Sequence, residues 1–168
     1  MKRRDCLALM GASSLLLAGC AGVPAATGTG DLGVVVARST GTLAIVNTSQ
    51  RTLLAEVKGL GDLSHASVVF SRDGRYAFVF GRDGALTKVD LLTHRIAGRV
   101  MQAGNSIGGA ISADGRLVVA QNYTPGGIKA FDTTTLELVA DIPAEYAPGK
   151  LSRVVGLVDL PGHRFAYS

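Results

Sequence analysis

The apolar positions after residue 31 fall into short stretches rich in valine, isoleucine, leucine and phenylalanine, separated by turn residues. Such stretches are typical of β-strands. No long window repeats its apolar residues with a helical period, so the pattern predicts an all-β fold. The predicted strands are Leu32–Ala37, Thr42–Asn47, Thr52–Val57, Ser67–Phe70, Tyr76–Phe80, Leu86–Asp90, Ile96–Met101, Gly108–Ile111, Leu117–Gln121, Ile128–Asp132, Leu138–Ile142, Val154–Val158 and Arg164–Tyr167.

The residues between these stretches favour tight connections. Asp73-Gly74, Asp83-Gly84 and Asp114-Gly115 each contain a glycine, which adopts the positive φ that hairpin turns require without steric cost. Pro125-Gly126-Gly127 predicts a longer and sharper connection. The chain is therefore expected to run as a series of antiparallel hairpins.

Two segments of the chain repeat each other at a spacing of about 40 residues. Phe70-Ser71-Arg72-Asp73-Gly74-Arg75 recurs as Ile111-Ser112-Ala113-Asp114-Gly115-Arg116, and Val89-Asp90-Leu91-Leu92-Thr93 recurs as Phe131-Asp132-Thr133-Thr134-Thr135. A fainter copy is Val46-Asn47-Thr48-Ser49. This period, built from β-rich units, is that of a β-propeller blade. Because one blade cannot bury both of its faces, the repeat predicts a ring of blades with a central pocket.

The N-terminus is predicted to be a targeting segment rather than part of the fold. Three basic residues precede the apolar stretch Leu7–Leu17, which is too short to span a bilayer. The stretch ends in Leu17-Ala18-Gly19-Cys20, which is the residue pattern at the cleavage site of a bacterial lipoprotein signal. Residues 1–19 are then removed, Cys20 carries the lipid, and residues 20–30 form a flexible tether in the periplasm. The alternative is an ordinary signal peptide in which Cys20 is incidental.

Charge and cysteine content narrow the possible functions. The net charge of +4 owes much to the basic leader, and no basic run with interleaved aromatic residues is present, which argues against nucleic acid as a partner. Both cysteines, Cys6 and Cys20, lie in or beside the leader, so neither a disulfide nor a thiolate site is predicted beyond it. The length after the leader suits about three blades, fewer than closed propellers usually have. Residues 31–168 are therefore expected to be the N-terminal part of a longer propeller.

Four side chains are candidates for a site at one mouth of the ring. His65 precedes the innermost strand of a blade, where an imidazole can ligate a metal or haem iron, or shuttle a proton. Arg38 and Arg82 follow equivalent strands of successive blades and suit carboxylates or phosphates. Tyr123 falls where Arg82 falls one blade later and can stack on a flat ligand. The residues alone leave two alternatives open. His65 is then a surface histidine, and Arg38 and Arg82 are rim residues held by neighbours such as Asp83.

With these residues the chain resembles the periplasmic proteins of d1-type haem biosynthesis, whose propeller is related to the d1 domain of cytochrome cd1 nitrite reductase. The resemblance implies an eight-bladed ring around d1 haem or dihydro-haem d1, with His65 as the iron ligand and Arg38 and Arg82 on the carboxylates. A further pocket arginine of that family has no match in Asn105-Ser106-Ile107. The segments that carry the resemblance are Gly61-Asp62-Leu63-Ser64-His65-Ala66, residues 70–76, residues 79–90 and residues 122–127.

The resemblance implies a role in a late modification of d1 haem or in its delivery. The expected partners are the other periplasmic proteins of that pathway and cytochrome cd1 nitrite reductase. Whether the protein is a tetrapyrrole-modifying oxidoreductase or a haem carrier stays open. A cofactor-free scaffold propeller of the YVTN type fits the repeats equally well, and only the convergence of His65, Arg38 and Arg82 on one pocket separates the two. A quinoprotein-like dehydrogenase is disfavoured because the chain has no tryptophan.

Overall fold

The computed structural model describes residues 28–162 and 164–168, which form strands preceded by one 3₁₀ helix at Thr29–Asp31. These described residues contain no helix with the length and apolar character needed to span a membrane. The predicted leader, the lipidation site Cys20 and His163 lie outside the described residues. The strands are β1 Leu32–Ala37, β2 Thr42–Asn47, β3 Thr52–Val57, β4 Ser67–Phe70, β5 Tyr76–Phe80, β6 Ala85–Asp90, β7 Arg95–Met101, β8 Asn105–Ile111, β9 Leu117–Thr124, β10 Ile128–Asp132, β11 Leu138–Ile142, β12 Glu145–Ala147, β13 Lys150–Leu151, β14 Leu157–Leu160 and β15 Arg164–Tyr167.

Within each sheet, strands that are consecutive in the chain pair antiparallel, and the sheets are arranged as blades. Blade 1 consists of β1, β2 and β3, blade 2 of β4 to β7, and blade 3 of β8 to β11. The strands β14 and β15 pair as the start of a further sheet. The first strands of these last three sheets lie side by side, since β8 contacts both β4 and β14. This fan of sheets confirms the predicted all-β propeller architecture.

The repeated Ser-x-Asp-Gly segment closes the first hairpin of blades 2 and 3. Gly74 and Gly115 have φ values of 69° and 76°, as the sequence predicted. In blade 2 the Ser71 hydroxyl accepts the backbone N–H of Tyr76 at 2.8 Å and donates to the Asp73 carboxylate. Blade 3 reproduces both hydrogen bonds with Ser112. The repeat therefore encodes a turn.

The hydrophobic core lies between blades, because alternate residues of each strand face opposite neighbours. In β5, Ala77 and Val79 pack towards Leu43 and Ile45 of blade 1. The other face of β5 carries Phe78 and Phe80, which pack among residues of blade 3. The blade 3 members of this second cluster are Ile111, Val118, Ala120, Phe131 and Leu136. Blade 2 is thus stabilised by both of its neighbours.

The structure departs from the predicted strands between residues 143 and 160. The strand predicted at Val154–Val158 lies at Leu157–Leu160 instead, and a short hairpin of β12 and β13 precedes it. Strands of three and two residues are too short to show an apolar alternation, so the pattern could not indicate this hairpin. It extends the connection from blade 3 to β14 at the end of the fan where the candidate site lies.

Candidate ligand-binding site

One end of the fan contains the β1–β2, β5–β6 and β9–β10 turns and the connections that lead from one blade to the next. A cavity of about 500 Å³ opens there. This volume falls within the range of about 300–1,000 Å³ that is usual for small-molecule and cofactor sites. Its lining consists of His65, Arg82, Asn105, Ile107, Tyr123, Thr124 and Arg153. Three of the four residues singled out from the sequence, His65, Arg82 and Tyr123, therefore meet at one cavity.

Hydrogen bonds hold His65 and Arg82 on adjoining loops. His65 lies in the connection from β3 to β4, and Arg82 lies in the turn from β5 to β6. The backbone N–H of Arg82 donates to the Asp62 carbonyl at 2.8 Å, which joins the two loops. The Nη1 atom of Arg82 lies 3.3 Å from Nδ1 of His65. The two side chains thus contact each other directly at the cavity.

The carboxylates nearest to Arg82 in sequence and space have other partners. Asp83 accepts a hydrogen bond from Nη2 of Arg99 at 2.7 Å, and the same Nη2 donates to the Leu60 carbonyl. Asp62 accepts the backbone N–H of Ser64 at 2.8 Å. The pKa of Asp62 lies below its usual value, chiefly because the Ser64 side chain and backbone N–H donate to the carboxylate. Arg82 therefore contacts His65 and is not held by Asp83, the alternative that the sequence left open.

The glycine before Asp62 allows the loops to approach so closely. Gly61 has a φ of 84°, in the left-handed region. A Cβ atom there would collide with the side chains of Asp83 and Arg99. The close approach places the connection that carries His65 directly against the turn that carries Arg82.

The cavity lining also combines an aromatic ring with a second guanidinium. The Arg153 guanidinium lies 5.6 Å from the centre of the Tyr123 ring. The residue before Tyr123, Asn122, is fully buried and exchanges two side-chain hydrogen bonds with Gln102, at 2.9 and 3.0 Å. The Asn122 carbonyl also accepts the backbone N–H of Val154 at 3.1 Å. A buried polar pair thus fixes the backbone on which both Tyr123 and Arg153 stand.

Sequence reasoning did not single out Arg153. It lies in the connection from β13 to β14, which has no copy elsewhere in the chain, so no repeat pointed to it. The family resemblance implied one more pocket arginine in the loop before blade 3, where Asn105 stands instead. Arg153 supplies a guanidinium to the same cavity from the loop that follows blade 3.

Asn105 presents an acceptor without a partner. Its Oδ1 atom is buried and has no hydrogen-bond partner among the described residues. Most buried polar atoms in folded proteins are paired, so this atom lacks a partner that the described residues do not supply. Asn105 is therefore an additional candidate contact that the sequence did not indicate.

Arg38 takes a different position from the other predicted residues. It lies in the exposed turn from β1 to β2 at the same end of the fan. It is not among the residues that line the cavity. Its role as a carboxylate ligand stays a prediction.

Comparison with known proteins identifies relatives that share most of this chain. Protein NirF of Pseudomonas aeruginosa is 63% identical over 155 residues, which are 91% of this chain and 40% of that protein. Protein NirF of Stutzerimonas stutzeri is 64% identical over 155 residues, again 91% of this chain and 39% of that protein. The chain therefore spans about two-fifths of the length of these curated relatives.

A solved structure and a family model give the same result. The dihydro-heme d1 dehydrogenase NirN in complex with DHE superimposes with a TM-score of 0.75 at 32% identity, over 82% of this chain and 30% of that chain. Residues 27–168 match the cytochrome D1 heme domain model, and they include every residue that lines the cavity. The chain belongs to the cytochrome D1 heme domain family.

Proposed function

We propose that the protein binds d1 haem or dihydro-haem d1 in this cavity and serves a late step of d1 haem biosynthesis. The observation that carries the proposal is the convergence of one imidazole, two guanidinium groups and an aromatic ring on a single cavity. A multiply carboxylated, flat iron macrocycle needs this combination of groups. A cofactor-free scaffold gives no reason for it.

Each side chain has a distinct task in this proposal. His65 would hold the iron from one side, and Arg82 and Arg153 would bind carboxylates at separate edges of the macrocycle. Tyr123 would lie against its face, and the buried Oδ1 of Asn105 would accept a hydrogen bond. The redox chemistry would belong to the tetrapyrrole, while the protein binds it, orients it and excludes water.

The names of the relatives support this pathway. Two curated relatives are called Protein NirF, and the structural relative is a dihydro-heme d1 dehydrogenase. The protein would either modify the tetrapyrrole itself or hold it for a partner enzyme and for delivery to cytochrome cd1 nitrite reductase. The proposal thus covers an oxidoreductase and a haem carrier, which binding alone does not distinguish.

The proposed location is the periplasm, with a lipid anchor on Cys20. The support is the sequence alone, in which Leu17-Ala18-Gly19-Cys20 follows a basic and then an apolar segment. Labelled fatty acid should be incorporated into the wild-type protein and not into Cys20→Ala. Equal labelling of both would show that the cysteine is incidental.

The test of binding is a titration of the full-length protein with d1 haem, followed by visible absorption. The wild type should shift the haem spectrum, and His65→Ala should bind at least tenfold more weakly because the iron loses its protein ligand. His94→Ala is the matched control, because His94 lies in the turn from β6 to β7 at the opposite end of blade 2. An unchanged haem spectrum with the wild type would favour the scaffold propeller.

A further inference from the structure

The contact between Arg82 and His65 defines which ring nitrogen of the histidine carries the proton. A guanidinium has only donors, so its hydrogen bond to Nδ1 requires a free lone pair on that nitrogen. In a neutral imidazole the proton then lies on Nε2. As long as the contact persists, Nδ1 is occupied by Arg82 and Nε2 by its own proton. Neither nitrogen can offer a lone pair to iron.

This arrangement is the reverse of the usual environment of a metal-binding histidine. Such a histidine donates the N–H of its second nitrogen to a carboxylate, a carbonyl or water, which orients the ring and increases its basicity. Here the group that faces Nδ1 is a donor. Ligation by His65 therefore requires the Arg82 guanidinium to move first.

The surroundings of Arg82 permit that movement. Its side chain is exposed, while its backbone is held by the Asp62 carbonyl. Asp83 is paired with Arg99, and no ion pair holds Arg82 among the described residues. A ligand carboxylate entering the cavity would pair with the Arg82 guanidinium charge to charge and in bidentate geometry, which is stronger than a single hydrogen bond to a neutral imidazole nitrogen.

We propose that Arg82 makes iron ligation by His65 conditional on a carboxylate of the ligand. This inference rests on the proposed function. The carboxylate draws the guanidinium away from Nδ1, the ring proton moves from Nε2 to Nδ1 by way of water, and Nε2 becomes free to ligate. Only the position of one proton changes, and no electrons are transferred. Arg82 then acts as a selectivity gate against iron tetrapyrroles that lack a carboxylate at this edge.

The gate differs from a simple carboxylate contact in one measurable respect. If Arg82 only bound carboxylate, its removal would weaken binding of a carboxylated porphyrin and leave an esterified one unaffected. If it also blocks His65, its removal should improve ligation of the esterified porphyrin. The expected gain is about two- to tenfold, the factor that corresponds to one hydrogen bond.

The experiment compares ferric protoporphyrin IX with its dimethyl ester, each titrated into the full-length wild type, Arg82→Ala and Arg153→Ala. Ligation is followed by the absorption band of the histidine-bound iron. Arg82→Ala should gain affinity for the ester. Arg153→Ala is the matched control, which should lose affinity for the acid without gaining any for the ester, because Arg153 contacts Tyr123 and not His65.

A second measurement uses no porphyrin. Nitrogen-15 NMR of the ligand-free wild type should show the proton of His65 on Nε2, and Arg82→Ala should populate both tautomers. A proton on Nδ1 in the wild type, or no gain for the ester in Arg82→Ala, would overturn the gate and leave the proposed function standing. Absence of binding of either porphyrin and of d1 haem by the wild type would overturn the proposed function itself.

Discussion

Blades 2 and 3 share a framework and differ in what they present to the cavity. Both close their first hairpin with the same Ser-x-Asp-Gly hydrogen bonds. At the equivalent position of the repeat, however, blade 2 has Arg82 in the turn after β5, and blade 3 has Tyr123 near the end of β9. Near the first strand of each blade, blade 2 has His65 in the connection before β4, and blade 3 has the amide of Asn105 at the start of β8. The repeated residues build the fold, and the residues that depart from the repeat carry the proposed chemistry.

The two blades also differ in the cations that join them. Lys88 of blade 2 is only 8% exposed, donates to the Thr134 carbonyl at 3.2 Å and lies 4.2 Å from the centre of the Tyr76 ring. Burial lowers the pKa of its ammonium group. Arg72 of the same blade donates to the Ile111 and Ser112 carbonyls of blade 3. Blade 2 is therefore the donor side of the interface between the two blades.

The largest expected effect concerns the different sizes of the buried side chains that the two blades contribute to this interface. Phe80 of blade 2 is fully buried, and a Cβ atom on Gly109 would collide with its ring. Phe80→Ala should lower the free energy of unfolding by about 3–5 kcal/mol. Val118→Ala, on the blade 3 side, should cost less than half of that because fewer buried atoms are removed. Chemical denaturation of the full-length variants measures both, and equal costs would contradict the asymmetry.

Leu138→Ala provides the control for this comparison. Leu138 belongs to the outer strand β11 of blade 3 and is 53% exposed. Its truncation should change the free energy of unfolding by no more than about 0.5 kcal/mol.

A smaller effect is expected from two equivalent aspartates. Burial alone would raise the pKa of Asp90, but hydrogen bonds from Arg75 and from the backbone N–H groups of Thr93 and Leu92 hold it below the usual value. Nε and Nη2 of Arg75 both donate to Asp90, at 3.2 and 2.8 Å. Its counterpart Asp132 accepts two backbone N–H groups but forms no ion pair within the described part of the chain. Asp90→Asn should therefore cost about 1–2 kcal/mol at neutral pH, more than Asp132→Asn.

The pH dependence of this difference follows from the direction of the shift. Because the pKa of Asp90 is lower in the folded state, its stabilisation is complete above the unfolded carboxyl pKa of about 4. It is lost as the pH falls through the lower folded pKa. Denaturation of the wild type and Asp90→Asn at about pH 7 and about pH 3 should show a gap that narrows in acid. A gap that widens in acid would contradict the assigned ion pair.

The smallest expected effect concerns the aromatic wall of blade 3. Tyr123→Ala should weaken binding of d1 haem by up to about tenfold, because the macrocycle loses a ring against its face. Tyr123→Phe keeps the ring and should bind within about twofold of the wild type. Absorption titration distinguishes the two variants. An equal loss in both would indicate that the hydroxyl, and not the ring, contacts the ligand.

Sequence pattern predicted the sheets well because the middle strands of the blades are buried on both faces and therefore appear as short apolar stretches bounded by turn residues. Twelve of the thirteen predicted stretches coincide with observed strands, and among them Gly108–Ile111 begins three residues earlier, at Asn105, and Leu117–Gln121 ends three residues later, at Thr124. The hairpin of β12 and β13 was missed because its strands are too short to alternate. Glu145, whose carboxylate accepts the N–H of Gly149, closes it by a side-chain contact that leaves no apolar pattern.

The sequence predicted only those site residues whose positions can be compared between the repeated blades. Arg82 and Tyr123 occupy equivalent places in successive blades, and His65 precedes an inner strand, so internal alignment pointed to all three. Arg153 lies in a connection without a copy, and Asn105 became a candidate only when its Oδ1 proved to be buried and unpaired. Neither property can be read from a linear pattern.

By itself, the sequence determined the all-β class, the blade period, the hairpin turns and the end of the fan at which His65 and Arg82 lie. These depend on contacts between residues close in the chain, which local pattern records. Only the tertiary structure decided that Asp83 pairs with Arg99, that Arg82 therefore faces Nδ1 of His65, and that Arg153 joins them. Such choices among competing partners depend on distances between separate loops, and folding alone establishes those distances.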